Sequence, residues 1–179
     1  FAIFKKEAAF YKKRGGNVMW VGHPMIDLTK KLPLKKDART ILNLRSNQNI
    51  LLLMPASRPQ ELRYVLPTFM KAAKKLQQKY PSLVVYIPSC RSSFDEIFKK
   101  ALRKYQVKGH VISQKNSAKL KPYIYSLTKI AFCKSGTVNM ELALYGIPQI
   151  VGYRVSRVTA FIAKKILNFK VRFISPVNL

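Results

Sequence analysis

From residue 50 onward, short apolar runs alternate with longer stretches in which apolar positions recur every three or four residues. The short runs read as buried strands: Ile50–Met54, Leu83–Ile87, Val107–Ile112, Ile130–Cys133 and Pro148–Tyr153. Between the first three, Glu61–Lys79 carries Phe69, Ala72, Ala73 and Leu76 on one face. Phe94–Tyr105 does the same with Phe94, Ile97, Phe98, Ala101 and Leu102, and both predict helices. Lys119–Ser126, Val138–Tyr145 and Arg157–Asn168 complete the helical set. Pro67 falls inside the first helix and is expected to kink or restart it. Apolar strands separated by helices signal a parallel sheet covered on both faces, so the expected class is α/β and Rossmann-like.

Residues 1–28 follow another pattern: a helix around Ile3–Lys13, a strand around Val18–Val21, and the turn Gly22-His23-Pro24. Thr29–Gln48 carries Lys30, Lys31, Lys35, Lys36, Arg39 and Arg45 without a sustained period, and reads as a basic linker. No apolar stretch approaches the roughly 20 residues of a membrane-spanning helix. Phe1 stands where a start methionine would, and no charged segment leads into an apolar one. A piece of a longer protein, without a secretory signal, is expected.

Charge changes the picture most. Thirty-four Lys and Arg face seven acids, for a net +27. Such a field attracts phosphates, in nucleic acid, anionic lipid or a nucleotide. The basic residues are spread along the chain, so a merely solvated surface is the competing explanation. Any carboxylate base must come from Glu7, Asp27, Asp37, Glu61, Asp95, Glu96 or Glu141, or from another segment. Two cysteines and two histidines make neither a disulfide framework nor a metal site. Aromatic residues are not interleaved with basic ones in an RNA-recognition pattern, and no zinc finger or basic zipper is present, which counts against a nucleic-acid-binding module.

In an open parallel sheet, ligands bind beyond the carboxyl ends of the strands. The turn after the first strand, Pro55-Ala56-Ser57-Arg58-Pro59, places Ser57 and Gln60 at capping-box spacing. Ser57 therefore reads as a cap, and Arg58 as an anion contact at a helix terminus. The turn Lys134-Ser135-Gly136-Thr137 combines two hydroxyls with a glycine that lets a ligand approach the backbone. One turn further on, Glu141 is suited to both hydroxyls of a ribose; the competing reading is a surface glutamate paired with lysine. Tyr153 is placed to stack on a base and Arg154 to reach a phosphate, unless the tyrosine is simply packed. His110 reads as a core residue and His23 as part of a turn.

Taken in order, Val21-Gly22-His23-Pro24-Met25, Leu52-Leu53-Met54-Pro55-Ala56-Ser57-Arg58, Ser135-Gly136-Thr137 with Glu141, and Val151-Gly152-Tyr153-Arg154 resemble the lipid-A-disaccharide synthases. These are inverting glycosyltransferases of two-domain GT-B architecture. The resemblance implies that residues 1–28 end an N-terminal acceptor domain, 29–48 link it onward, and 49–179 form an incomplete UDP-sugar-binding domain. It implies transfer of diacylglucosamine from UDP-diacylglucosamine to diacylglucosamine 1-phosphate, releasing UDP, with no metal or organic cofactor. The carried-over contacts are Ser57, Arg58, Ser135, Gly136, Thr137, Glu141, Tyr153 and Arg154, with Arg58 stabilising the leaving group.

A cytoplasmic enzyme, peripheral on the inner membrane and in some cases dimeric, is implied; a plastid-encoded chain would work in the stroma. The basic amphipathic Arg157–Asn168 suits an anionic membrane surface, or simply packs on the sheet. Two departures stand out: Ala56 replaces the family's usual glycine, and most of the domain in which the family's acceptor site and candidate catalytic aspartate reside is expected to lie outside this sequence. The chain is expected to bind UDP but to transfer nothing unaided. A different UDP-sugar GT-B transferase, or a degenerate fragment serving as a partner, is the remaining alternative.

Overall fold

Along Asn49–Met54, successive side chains point to opposite faces, and neighbouring strands repeat the alternation until the apolar residues separate into two cores. The computed structural model describes residues 1–29 and 31–154. It forms two compact units, Phe1–Lys31 and Leu32 onward.

The first unit holds α1 (Lys5–Lys12) and α2 (Met25–Leu28). The expected strand at 18–21 is reduced to a single bridge between Ala2 and Trp20. His23 serves its turn: Nδ1 accepts the Met25 N–H at 3.2 Å, at the start of α2.

The second unit runs α3 (Lys35–Ile41), β1 (Asn49–Met54), α4 (Pro59–Lys79), β2 (Leu83–Pro88), α5 (Ser92–Lys104) and β3 (Gly109–Ile112). It continues with α6 (Gln114–Leu127), β4 (Thr128–Lys134), α7 (Thr137–Leu144) and β5 (Gln149–Gly152). All strands are parallel, in the order β3-β2-β1-β4-β5. Leu51, Leu53, Val85, Ile87 and Phe132 face α4 and α5 in one core. Ile50, Leu52, Val84, Tyr86, Ala131 and Cys133 meet α3, α6 and α7 in the other. The α/β Rossmann-like class follows directly. Because β1 lies between β2 and β4, the chain order reverses there, and the turns leaving β1 and β4 stand side by side.

Three expectations change. α4 runs unbroken for 21 residues through Pro67. Leu62, Val65, Leu66, Phe69, Met70 and Ala73 are buried along it. Burying that stripe outweighs the roughly 3 kcal/mol an internal proline costs. The basic stretch 29–48 contains α3, whose Ala38 is fully buried in the second core. Arg39 Nη1 ties its C-terminal side down by donating to the carbonyls of Arg45 (2.6 Å) and Gln48 (2.9 Å). His110 is exposed rather than in the core, because β3 is the edge strand; its ring lies 5.1 Å from that of Tyr86. The amphipathic stretch Arg157–Asn168 lies outside the described residues.

Candidate functional site

Between the turns that leave β1 and β4 lies a cleft of about 470 Å³. Ser57, Arg58, Ser135, Gly136, Thr137 and Glu141 all line it, and Lys121 and Lys134 join them. Its lip carries Cys90, an exposed free thiol whose Sγ lies 3.8 Å from the Ala56 carbonyl. A more open hollow of about 690 Å³ runs along β3, where Arg103, Lys108 and His110 face no carboxylate in its lining. It sits on the sheet's edge rather than at the switch in strand order, where ligands of such sheets bind.

The first turn is built differently from its sequence pattern. Arg58, not Ser57, occupies the N-cap of α4, in an extended conformation with Pro59 directly after it and no side chain capping the helix. Ser57 is thus one residue outside the cap, exposed in the cleft wall. Arg58 projects from a helix terminus whose first amides have no side-chain acceptor, an arrangement favourable to anions. Ala56 lines the cleft while packing against the first core.

In the second turn, Gly136 caps α7 with φ 164° and ψ −169°. That is extended backbone open to any residue, and a Cβ at Gly136 would meet no atom within 4 Å. Its N–H donates to Asn139 Oδ1 at 2.9 Å. Asn139 is fully buried, and its Nδ2 donates to Gln149 Oε1 at 3.1 Å and Cys133 Sγ at 3.0 Å. Gln149 Nε2 returns a bond to the Asn139 carbonyl at 2.9 Å. This amide pair fastens the turn to β4 and β5. It also takes up the Gly136 amide, so an anion here meets the amides of Thr137 and Val138 instead. Burial pushes the Cys133 thiol up to about 11, keeping it neutral beside these amides.

Two lysine–carboxylate pairs flank the cleft. Glu141 Oε1 lies 2.6 Å from Lys121 Nζ, and the Tyr125 hydroxyl, 3.9 Å from Met54 Sδ, stands close enough to the same carboxylate to feel its charge. Glu61 Oε1 lies 2.6 Å from Lys134 Nζ, while its Oε2 is buried without a hydrogen-bond partner. Its place in the first turn of α4 aims Glu61 at the end of β4. Lys134 Nζ also sits 5.9 Å from the centroid of the Tyr153 ring.

Tyr153 and Arg154 are not among the residues lining the cleft. The tyrosine is 52% exposed, and Arg154 Nη1 donates to Thr68 Oγ1 on α4 at 3.3 Å. Lys121, Lys134 and Asn139 were missed by sequence reasoning. Lys134 adjoins the Ser-Gly-Thr turn and Asn139 is a polar residue on a buried helix face, both usable signals; Lys121 carries none. Among the described residues, no group of three His, Cys, Asp or Glu side chains is placed to hold a metal.

The family described as lipid-A-disaccharide synthetase matches residues 1–179. The chain is 52% identical to a lipid-A-disaccharide synthase of Prochlorococcus marinus (strain MIT 9313), over 99% of this chain and 45% of that one. It is 38% identical to the synthase of Gloeothece citriformis (strain PCC 7424), with the same two coverages. A synthase of Vibrio vulnificus (strain YJ016) is 32% identical over 99% of this chain and 46% of the relative. The chain thus spans less than half the length of these curated relatives. Among solved structures, that of WaaG, a glycosyltransferase involved in lipopolysaccharide biosynthesis, superimposes with a TM-score of 0.50 over 68% of this chain and 33% of that one. At 14% identity that likeness concerns the fold alone, and the fold is the Rossmann-like one described above. Matched from end to end by the family and by relatives this similar, the chain belongs to the lipid-A-disaccharide synthetase family.

Proposed function

We propose that the cleft holds the uridine diphosphate of UDP-diacylglucosamine, and that this chain is the donor-binding part of an enzyme forming the lipid A disaccharide. The observation that carries the reading is Gly136. Neither its backbone angles nor its neighbours require a glycine, and the space left bare opens into the cleft. A residue the fold does not need is accounted for by a ligand approaching the turn.

In this reading an acceptor hydroxyl of diacylglucosamine 1-phosphate attacks the donor's anomeric carbon while the bond to UDP breaks. Negative charge grows on the diphosphate, where Arg58 and the first amides of α7 stabilise it. Glu141 accepts the ribose hydroxyls, Tyr153 and Arg154 contribute from the neighbouring strand end, and no metal or cofactor takes part. The base is supplied from outside this chain: Glu61, Glu96 and Glu141 each pair with a lysine, and Glu7, Asp27, Asp37 and Asp95 each lie in the first turn of a helix. Residues 1–28 are then the tail of the acceptor domain, and the chain from Leu32 onward belongs to the donor domain.

Acylated substrates place the enzyme at a bilayer, on the cytoplasmic face of the inner membrane. The net charge of +27 supports that placement, since each basic residue near an anionic leaflet contributes about 1 kcal/mol. The resemblance extends to homodimers, which sedimentation of the full-length protein tests. The decisive experiment titrates the protein with UDP, UDP-GlcNAc and a DNA oligomer at two salt concentrations. Saturable, uridine-selective binding is expected. Steeply salt-dependent oligomer binding alone would instead identify a nucleic-acid module. Turnover by residues 1–179 alone would overturn the division of labour.

A further inference from the structure

We propose that Lys121 and Tyr125 of α6 are positioning residues that make the cleft selective for a nucleotide with an intact vicinal diol, by holding Glu141 with acceptor positions left for both hydroxyls. The inference rests on the uridine-nucleotide reading of the same cleft.

The argument is a count of lone pairs. An ionised carboxylate accepts about four hydrogen bonds. Lys121 Nζ takes one position on Glu141 at 2.6 Å, and the Tyr125 hydroxyl stands beside the same carboxylate, close enough to feel its charge. At least two remain on a residue that lines the cleft, enough for the two hydroxyls of a ribose.

The holding groups are themselves fixed. Lys121 and Tyr125 stand four residues apart on α6 and so share a face. The Lys121 ammonium lies 5.6 Å from the centroid of the Tyr125 ring, and Tyr145 packs edge-on against that ring at 5.3 Å. Tyr125 is buried in the second core. Burial first, and the charge of Glu141 second, push its phenol far above the ordinary value, so it stays protonated beside the carboxylate.

A carboxylate pinned on one side cannot turn to recruit water when a ligand hydroxyl is missing. A 2′-deoxynucleotide would leave an acceptor unmet in a shielded site, the situation in which hydrogen-bonding sites reject analogues. Released from α6, the carboxylate hydrates freely, and discrimination falls.

The test titrates the full-length protein with UDP and 2′-deoxy-UDP, as wild type and as Lys121→Met, Tyr125→Phe and Lys121→Arg. The wild type is expected to favour UDP by about tenfold. Lys121→Met and Tyr125→Phe should each bring the ratio below about threefold while UDP still binds, and Lys121→Arg should restore part of it. Tyr125→Phe keeps the ring in the core, and melting curves confirm that it folds. An unchanged ratio in both variants overturns the inference. So does equal weakening of both nucleotides by Lys121→Met, which would place that lysine on the diphosphate. Failure of the underlying reading looks different: the wild type binds neither nucleotide, or binds both equally with Glu141→Gln silent.

Discussion

Glu61–Lys134 and Glu141–Lys121 have the same 2.6 Å separation, and their side chains are comparably shielded, at 20% and 20% exposed against 24% and 27%. What separates them is their surroundings. In Glu61 the second carboxylate oxygen is buried without a partner, and the pair joins the start of α4 to the end of β4 across 73 residues of sequence. Glu141 lines the cleft. One pair ties two elements of the frame together and the other faces the cleft, and ion-pair geometry alone does not distinguish them.

Arg58 sharpens the contrast most, because it shares the first turn of α4 with Glu61. If the proposed function holds, Arg58→Ala in the full-length protein should lower turnover by about 3 kcal/mol of transition-state stabilisation. Its melting temperature should hardly move; equal loss of both would reassign Arg58 to the frame. Glu61→Ala should do the reverse, removing about 2 kcal/mol of stability by stranding Lys134, with UDP affinity affected only through the shape of the cleft. Denaturant unfolding beside nucleotide titration reads both.

Two glycines repeat the comparison on a smaller scale. A Cβ on Gly152 would lie 2.6 Å from Phe69 Cε1, so Gly152→Ala should destabilise by about 1–2 kcal/mol. Gly136→Ala meets no neighbour and should leave melting unchanged while weakening UDP binding severalfold. If Gly136→Ala lost stability instead, the turn would belong to the frame.

The smallest effect concerns pH. Burial raises the Cys133 thiol from 9.0 to about 11, so the unfolded chain releases this proton first as pH climbs. The contribution is fully present below pH 9 and disappears toward pH 11, with about 1 kcal/mol gone by pH 10. Tyr125 and Tyr86, also raised by burial, extend the decline upward. Cys133→Ala should flatten the lower part of the slope.

Much of the fold was legible because the sheet is buried on both sides, leaving its strands as apolar runs such as Leu51-Leu52-Leu53. The carboxyl ends of those strands then located the cleft, and the Ser135-Gly136-Thr137 turn with Glu141 stood where spacing put it. What stayed hidden depends on contacts distant in sequence or on very short elements. α3 buries essentially Ala38, too little to form a period. His110 looked internal because nothing local marks β3 as an edge. Lys121 is one base among 34, and only folding brings α6 beside α7 at Glu141. Ser57 lost the cap to Arg58 because Pro59 starts the helix one residue later than the capping pattern implied.

The two cysteines divide along the same line as the two carboxylates. Cys133 is sealed in the second core and locked to amides, whereas Cys90 stands exposed on the lip of the cleft. A thiol-reactive dye would therefore settle at residue 90 within this chain, giving an optical reporter of occupancy without an engineered attachment point.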